Sequence, residues 1–267
     1  MHREIDSAAP SPQATQPMRA LVTGASSGIG RATAMRLASQ GAHVALVARD
    51  QGALSALAQE LEALGGRAEV CPADLLSAEA RAEVVSQALE ALGGLDLLVN
   101  AAGVIKSDSV ESATLEGWGQ LLELNVTAPF HLLQLCLPSL KASRGAVVNV
   151  SSVTGVRAFP GVMSYCVSKA ALEQMTRCAA LELAEAGVRV NSVCPGVVRT
   201  ELHKRSGMNK EAYAAFLKHS ESTHPLGRVG EPEEVAELID FLGSPRSAWI
   251  TGVSVPVDGG RHATCAR

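Results

Sequence analysis

The sequence predicts a doubly wound α/β fold, a single Rossmann-type parallel sheet with helices on both faces. Three observations carry that prediction. Short apolar runs alternate with helical patterns from Met18 to Val257. Most of these runs are apolar on both faces, as strands covered from each side must be. Apolar residues make up 47% of the chain but aromatics only 3%, so the core is built from Ala, Val and Leu. Small side chains of that kind let helices lie close on a sheet.

The elements follow in order. Ala20–Thr23 is an apolar strand that runs into glycines, and Gly28–Ser39 has a helical pattern. His43–Ala48 is a second strand. Gln51–Leu64 repeats Leu54, Leu57, Leu61 and Leu64 at helical spacing. Ala68–Cys71 is a short strand, and Ser77–Leu92 a helix opened by an N-cap serine. Leu95–Asn100 is a strand ending at a turn. Leu115–Leu140 is helical, with Pro129 as a boundary or kink. Ala146–Val150 and Val188–Val193 are strands on either side of a helix at Ser164–Ala186. Residues 201–225 are polar and mixed. Glu231–Leu242 is a helix with Pro232 near its start, and Val253–Val257 is the last strand.

The chain's 267 residues suit one large domain, with no repeat or linker to divide it. Residues 18–267 are expected to form an oxidoreductase domain and 1–17 a disordered tail. That tail holds Pro10, Pro12 and Pro17 without an apolar segment, unlike a signal peptide. A net charge of −4 and scarce aromatics exclude a basic, stacking nucleic-acid surface. No run approaches the ~20 apolar residues of a membrane span. The six cysteines form no C-x-x-C pair and join no His cluster, so free thiols in a reducing, cytoplasmic setting and no metal are expected.

The turn after the first strand reads Thr23-Gly24-Ala25-Ser26-Ser27-Gly28-Ile29-Gly30. Gly24 permits a sharp exit from the strand, Gly28 close approach of backbone to a pyrophosphate, and Gly30 close packing of the helix. The helix start offers free N–H groups and partial positive charge to phosphates, and Ser26 and Ser27 add hydroxyls. The spacing is G-x-x-x-G-x-G. With Asn100-Ala101-Ala102-Gly103, Asn125, Ser152, Tyr165-x-x-x-Lys169, Pro195-Gly196 and Asp258-Gly259-Gly260, the sequence resembles the short-chain dehydrogenase/reductase family. The resemblance extends from Met18 to about Gly260. It is similar to members such as 3-oxoacyl-carrier-protein reductases, glucose 1-dehydrogenases and carbonyl or hydroxysteroid reductases, and nothing in the sequence separates these. One departure is Ala101, where the family often has a second Asn.

Tyr165 and Lys169 lie four apart, on one helix face. Hydride transfer to a carbonyl needs a proton for the nascent alkoxide. A phenol's pKa of ~10 must fall by roughly 3, or ~4 kcal/mol, to serve near neutrality. An ammonium about 4 Å away supplies ~4 kcal/mol at an effective dielectric of 20. One lysine is therefore sufficient. Ser152 ends the fifth strand, where such folds place ligands, with Ser151 as its adjacent competitor. The resemblance selects Ser152, thirteen residues before Tyr165, to polarise the substrate oxygen. It makes Tyr165 the proton donor and acceptor. Lys169 then lowers the phenol's pKa and bonds the nicotinamide ribose. Asn125, by itself an ordinary helical surface choice, becomes the holder of a water that resupplies protons.

The same resemblance implies dinucleotide contacts from Gly24, Ser26, Ser27, Gly28, Ile29, Gly30, Asn100, Ala101, Gly103, Tyr165, Lys169, Pro195 and Gly196. Asp74 and Leu75 would meet the adenine, although an Asp at a strand end is also an ordinary turn former. Val198 and Thr200 would meet the nicotinamide carboxamide. NAD(H) enzymes place a carboxylate at the end of the second strand, where it repels a 2′-phosphate. Here that position is Ala48, followed by Arg49, whose guanidinium can pair with phosphate. NADP(H) is therefore expected over NAD(H), the alternative being that Asp50 takes the ribose and Arg49 is solvated.

The substrate pocket is expected from Val153–Met163 and a loop segment at 201–226. In the second, His203, Lys204, Arg205 and Lys210 either receive an anionic substrate, such as a phosphopantetheine thioester, or form a solvated helix face. The function expected is hydride transfer between NADP(H) and a small carbonyl or secondary alcohol. A dehydratase or epimerase, and a non-catalytic dinucleotide sensor or scaffold, are the alternatives. Helices at Leu115–Leu140 and Ser164–Ala186 carry more Ala and Leu than one face needs, and in the family such helices build a homotetramer or homodimer.

Overall fold

A computed structural model describes residues 17–264. The expected tail thus lies outside the described residues, apart from Pro17. Seven strands form one sheet: β1 (Arg19–Thr23), β2 (His43–Ala48), β3 (Arg67–Pro72), β4 (Leu97–Asn100), β5 (Ala146–Val150), β6 (Arg189–Pro195) and β7 (Ser254–Val257). All pairings are parallel, in the order β3-β2-β1-β4-β5-β6-β7. The chain winds outward from β1 to β3 and returns to the other side of β1 for β4. That reversal leaves a crevice at the carboxyl ends of β1 and β4, where ligands bind in such sheets.

Alternate strand residues face two separate cores. Ala20, Val22, Val44 and Leu46 meet α1 (Gly28–Ala38), α2 (Gln51–Ala63) and, late in the chain, α10 (Pro232–Gly243). Leu21, Ala45, Leu98 and Val147 meet α3 (Ala78–Leu92), α5 (Ala128–Ser143) and α7 (Met163–Leu183). The largest fully buried side chains are all leucines, as the composition requires. Five of the cysteines are described, and all five are free. No helix among the described residues is long and apolar enough to cross a membrane.

Two regions depart from the expected elements. The long helix at 115–140 divides into α4 (Leu115–Leu122), a π turn at Glu123–Thr127, and α5. Pro129 has no N–H to give to the carbonyl of Asn125, and the helix widens there instead of kinking. The Ala128 N–H bonds the Glu123 carbonyl, five residues back. The segment expected as a mixed loop carries α8 (Leu202–Arg205) and α9 (Lys210–Thr223). Asn209 caps α9 by accepting from the Ala212 N–H at 2.8 Å. A four-residue α6 (Val153–Val156) follows β5.

Candidate active site

The first turn is built from backbone. Thr23, the last residue of β1, accepts the N–H groups of Ala101 and Ala102 on its hydroxyl at 3.0 and 3.1 Å. That binds the turn after β4 to the turn after β1. Gly24 sits at φ +66°, and a Cβ there would lie 2.9 Å from the Ala102 nitrogen. At Gly30 a Cβ would fall 2.5 Å from the Gly24 carbonyl oxygen. Gly30 is therefore needed by the turn itself, not, as expected, only by helix–sheet packing. Asp50, Ser77, Thr114 and Asn209 cap their helices, but Ser27 makes no side-chain bond at the start of α1. Those free N–H groups face a cavity of about 1180 Å³ lined by Gly24, Ser26, Ser27, Gly28, Ile29 and Gly30. Its volume exceeds the ~300–1,000 Å³ of a single small-ligand site, which suits a dinucleotide and a substrate end to end.

At one end of the cavity stands Arg49, exposed and without an ion pair among the described residues. Asp50 spends its carboxylate on the Ala53 N–H at 3.0 Å, capping α2. Asp74 and Leu75 line the same end. The Leu75 carbonyl accepts from buried Arg81 at 2.8 Å, and Arg81 also pairs with Glu123 of the π turn at 2.7 Å. Ala101 and Gly103 line the cavity, while the buried Asn100 side chain donates to Asn149 Oδ1 at 2.9 Å, leaving only its backbone for a dinucleotide. The matched register of β4 and β5 places these two residues side by side.

Further along, Ser152, Tyr165 and Lys169 converge on the cavity. The Ser152 hydroxyl caps α6 by accepting the Thr154 N–H at 3.2 Å, and it acts on the Tyr165 phenol to lower its pKa. Ser151 points away, donating to buried Glu173 at 2.8 Å. Helix α7 is pinned at its start by Asp108, which accepts the Ser164 N–H at 3.0 Å. Lys169 is buried and donates to the Val150 carbonyl at 2.8 Å, with its ammonium 5.6 Å from the Tyr165 ring centre. Asn125 does not line the cavity. It lies behind Gly103, where a Cβ would be 3.2 Å from Asn125 Oδ1 and 3.6 Å from Lys169 Nζ. Its amide holds Val104 by both backbone groups, at 3.0 and 2.9 Å, and donates to Ser168.

The expected depression of the phenol by the lysine is absent in this arrangement. Burial pushes Tyr165 up to about 12, with only the influence of the Ser152 hydroxyl pulling it down. Burial pulls Lys169 to about 8. The physical reason is direction: the ammonium is aimed at the Val150 carbonyl, and both groups are out of water.

Pro195, Gly196, Val198 and Thr200 line the cavity beside this set. Three tethers that sequence reasoning missed hold their loop. The Tyr213 hydroxyl donates to the Thr200 carbonyl at 2.9 Å. His224 Nε2 accepts the Val197 N–H at 3.1 Å, and Arg199 N–H bonds the Gly230 carbonyl at 2.9 Å. Tyr213 had one signal, its rarity, in a chain with two tyrosines; His224 had none.

Beyond lie Phe159, Pro160, Val162, Leu202 and Phe216, with Arg205 and Arg261. Two members of the basic cluster have partners, while Arg205 lines the cavity without an ion pair among the described residues. Lys204 pairs with Glu201 at 2.7 Å, and His203 stacks on Phe216 with ring centres 4.4 Å apart.

The comparisons with known proteins agree with this geometry. A family model described as enoyl-(acyl carrier protein) reductase matches residues 24–262. A 2,5-dichloro-2,5-cyclohexadiene-1,4-diol dehydrogenase of Sphingobium indicum is 36% identical, over 90% of this chain and 94% of its own. A 3-oxoacyl-[acyl-carrier-protein] reductase of Thermotoga maritima is also 36% identical, over 90% and 96%. A solved short-chain dehydrogenase/reductase of unknown function from Caenorhabditis elegans, with cofactor, superposes with a TM-score of 0.88 at 33% identity. It covers 93% of this chain and 96% of that one.

Proposed function

Because the chain belongs to the short-chain dehydrogenase/reductase family, we propose that it is an NADP(H)-dependent oxidoreductase that interconverts a carbonyl and a secondary alcohol. The observation that carries the reading is the convergence of Ser152, Tyr165 and Lys169 on one cavity with the uncapped, glycine-lined start of α1. The free N–H groups there fit a pyrophosphate, and a bound reduced nicotinamide supplies the hydride. Ser152 orients the carbonyl by donating to its oxygen. Tyr165 gives its phenolic proton to that oxygen in reduction and takes it back in oxidation. Lys169, with a pKa near 8, is mostly protonated at neutral pH and carries the charge that a phenolate needs nearby. Asn125 holds the backbone of Val104 beside Lys169 and keeps that side of the lysine polar.

NADP(H) is favoured because Arg49 has no ion pair among the described residues and the adjacent carboxylate, Asp50, is occupied by its helix. The substrate reading is a largely apolar ketone or alcohol, supported by the walls at Phe159, Val162, Leu202 and Phe216. Relatives named for a cyclohexadiene diol and for a 3-oxoacyl-[acyl-carrier-protein] support a carbonyl or alcohol substrate. The thiols support a reducing, cytoplasmic setting. A homodimer or homotetramer is supported by exposed Leu115, Phe130, Val167 and Leu181 on α4, α5 and α7.

The test is a ketone and alcohol panel read by nicotinamide absorbance, repeated with Tyr165→Phe. Turnover should fall by about 10²–10⁴-fold with dinucleotide binding retained. Near-wild-type turnover by Tyr165→Phe, or no turnover on any ketone or alcohol, would sink the reading.

A further inference from the structure

A buried carboxylate that the proton transfer above does not use lies beneath the catalytic serine. Glu173 sits one turn beyond Lys169 on α7 and is 2% exposed. Its Oε1 accepts the Ser151 hydroxyl at 2.8 Å and the Cys194 thiol at 3.5 Å. The same oxygen rests on Gly155, where a Cβ would collide with it. One oxygen atom thus touches the end of β5, the end of β6 and the turn of α6. Those three segments lead into Ser152, into Pro195-Gly196 and into the cavity wall.

A buried carboxylate is costly, by several kcal/mol, unless charge and hydrogen bonds answer it. A hydroxyl and a thiol are weak answers by themselves. Lys169, four residues earlier on the same helix, is also buried; its ammonium is held by the Val150 carbonyl at 2.8 Å, makes no direct ion pair with Glu173, and feels the carboxylate through space. The other titratable groups facing the pair are Tyr165 and Cys166 on α7 and Cys194 on β6. The phenol and the Cys194 thiol are both pushed up to about 12 by burial, so neither carries charge at neutral pH. Burial lowers Lys169, while Cys194 and Glu173 act upward on it.

We propose that Glu173 is a positioning residue for hydride transfer: its carboxylate turns Ser151 inward, so that Ser152 faces Tyr165, and provides the counter-charge of the Lys169 ammonium. This rests on the assignment of Ser152, Tyr165 and Lys169 as the catalytic set. Each variant is therefore read beside Tyr165→Phe, whose full activity would remove that assignment independently.

The experiment measures Glu173→Gln in carbonyl reduction at saturating NADPH, between about pH 6 and pH 10. Loss of a nearby negative charge makes Lys169 shed its proton more readily. The midpoint of the alkaline fall in kcat should therefore move to lower pH by about half a unit or more. At neutral pH, kcat should drop about tenfold with KM within about twofold, the pattern of an interaction used in the transition state. Ser151→Ala should lower kcat severalfold and leave the midpoint in place. A Glu173→Gln enzyme with the wild-type midpoint overturns the proposal, whether its kcat is intact or reduced along with Tm. Should that variant not fold, Glu173→Asp decides. Reduced kcat at the wild-type midpoint supports the proposal, and a shifted midpoint with intact kcat overturns it.

Discussion

The two ends of the cavity are made by different means. The proposed dinucleotide end is backbone: the turn at Gly24–Gly30, the N–H groups of α1, and the Ala101–Ala102 amides held by Thr23. The substrate end is side chain: His203 against Phe216, Arg261 over Phe159 at 5.0 Å, and Leu202 from the short α8. Backbone has few ways to cradle a phosphate, so its recipe recurs as fixed glycine spacing. Apolar walls can be assembled from many side chains, so the substrate end has no comparable signature.

Changes at each end should show that contrast, in descending order of effect. Gly30→Val drives a branched side chain into the Gly24 carbonyl and cannot be relieved by a rotamer. Nucleotide affinity, read by NADPH fluorescence, should fall by more than about 100-fold, or ~2.7 kcal/mol. An affinity within a few fold of wild type would show that the turn tolerates what its geometry forbids. Arg49→Asp should remove the proposed charge-assisted bond to a 2′-phosphate, worth ~1.5–3 kcal/mol. It should shift the NADPH to NADH ratio of kcat/KM by about 10–100-fold toward NADH; an unmoved ratio would leave Arg49 a solvated residue. Tyr213→Phe removes one neutral hydrogen bond to Thr200, worth ~1 kcal/mol. A rise of about fivefold in KM for substrate or dinucleotide, with kcat little changed, is expected from steady-state kinetics. An unchanged KM for both would mean that this tether is idle.

The smallest effect is one of pH. His224 Nδ1 donates to the Ser220 carbonyl at 2.6 Å while Nε2 accepts from Val197, so the ring is held neutral. Burial holds its pKa below the usual 6.5, against the upward pull of the Ser220 carbonyl. Above that value neither the folded nor the unfolded chain is charged there, and the contribution is intact. As pH falls through it, the unfolded chain takes up a proton that the folded one resists, so stability declines. Tm should drop between about pH 7.5 and 5.5, and less steeply in His224→Gln. Parallel curves for the two proteins would acquit His224.

Much of the scaffold was legible because strand and helix periodicities are local. His43–Ala48 and Ala146–Val150 are strands at the expected boundaries, and Ser77 caps its helix as expected. The helices at 202–223 were not legible: polar residues of mixed kind make up most of that stretch, and only Tyr213, Leu217 and Ser220 are buried on α9. Nor was the π turn, which arises from what Pro129 withholds from Asn125. In the site, motif spacing led to Ser152 and Tyr165. It could not say that Asn100 and Asn125 stand behind the wall, or that the Lys169 ammonium turns to Val150. Those are matters of side-chain direction, set by partners such as Asn149 and Val104 that lie far away along the chain.

The tethers on residues 195–200 have a thermodynamic corollary. Tyr213 belongs to α9 on the substrate side, whereas Thr200 and Val197 stand beside the proposed nicotinamide position. Whatever steadies that loop also steadies α9, and the ordering cost is met only once. Either ligand should therefore raise the affinity for the other, and by reciprocity both factors must be equal. Calorimetric titrations run in both orders of addition would measure the two factors separately, and unity in each would mean that loop and helix move independently.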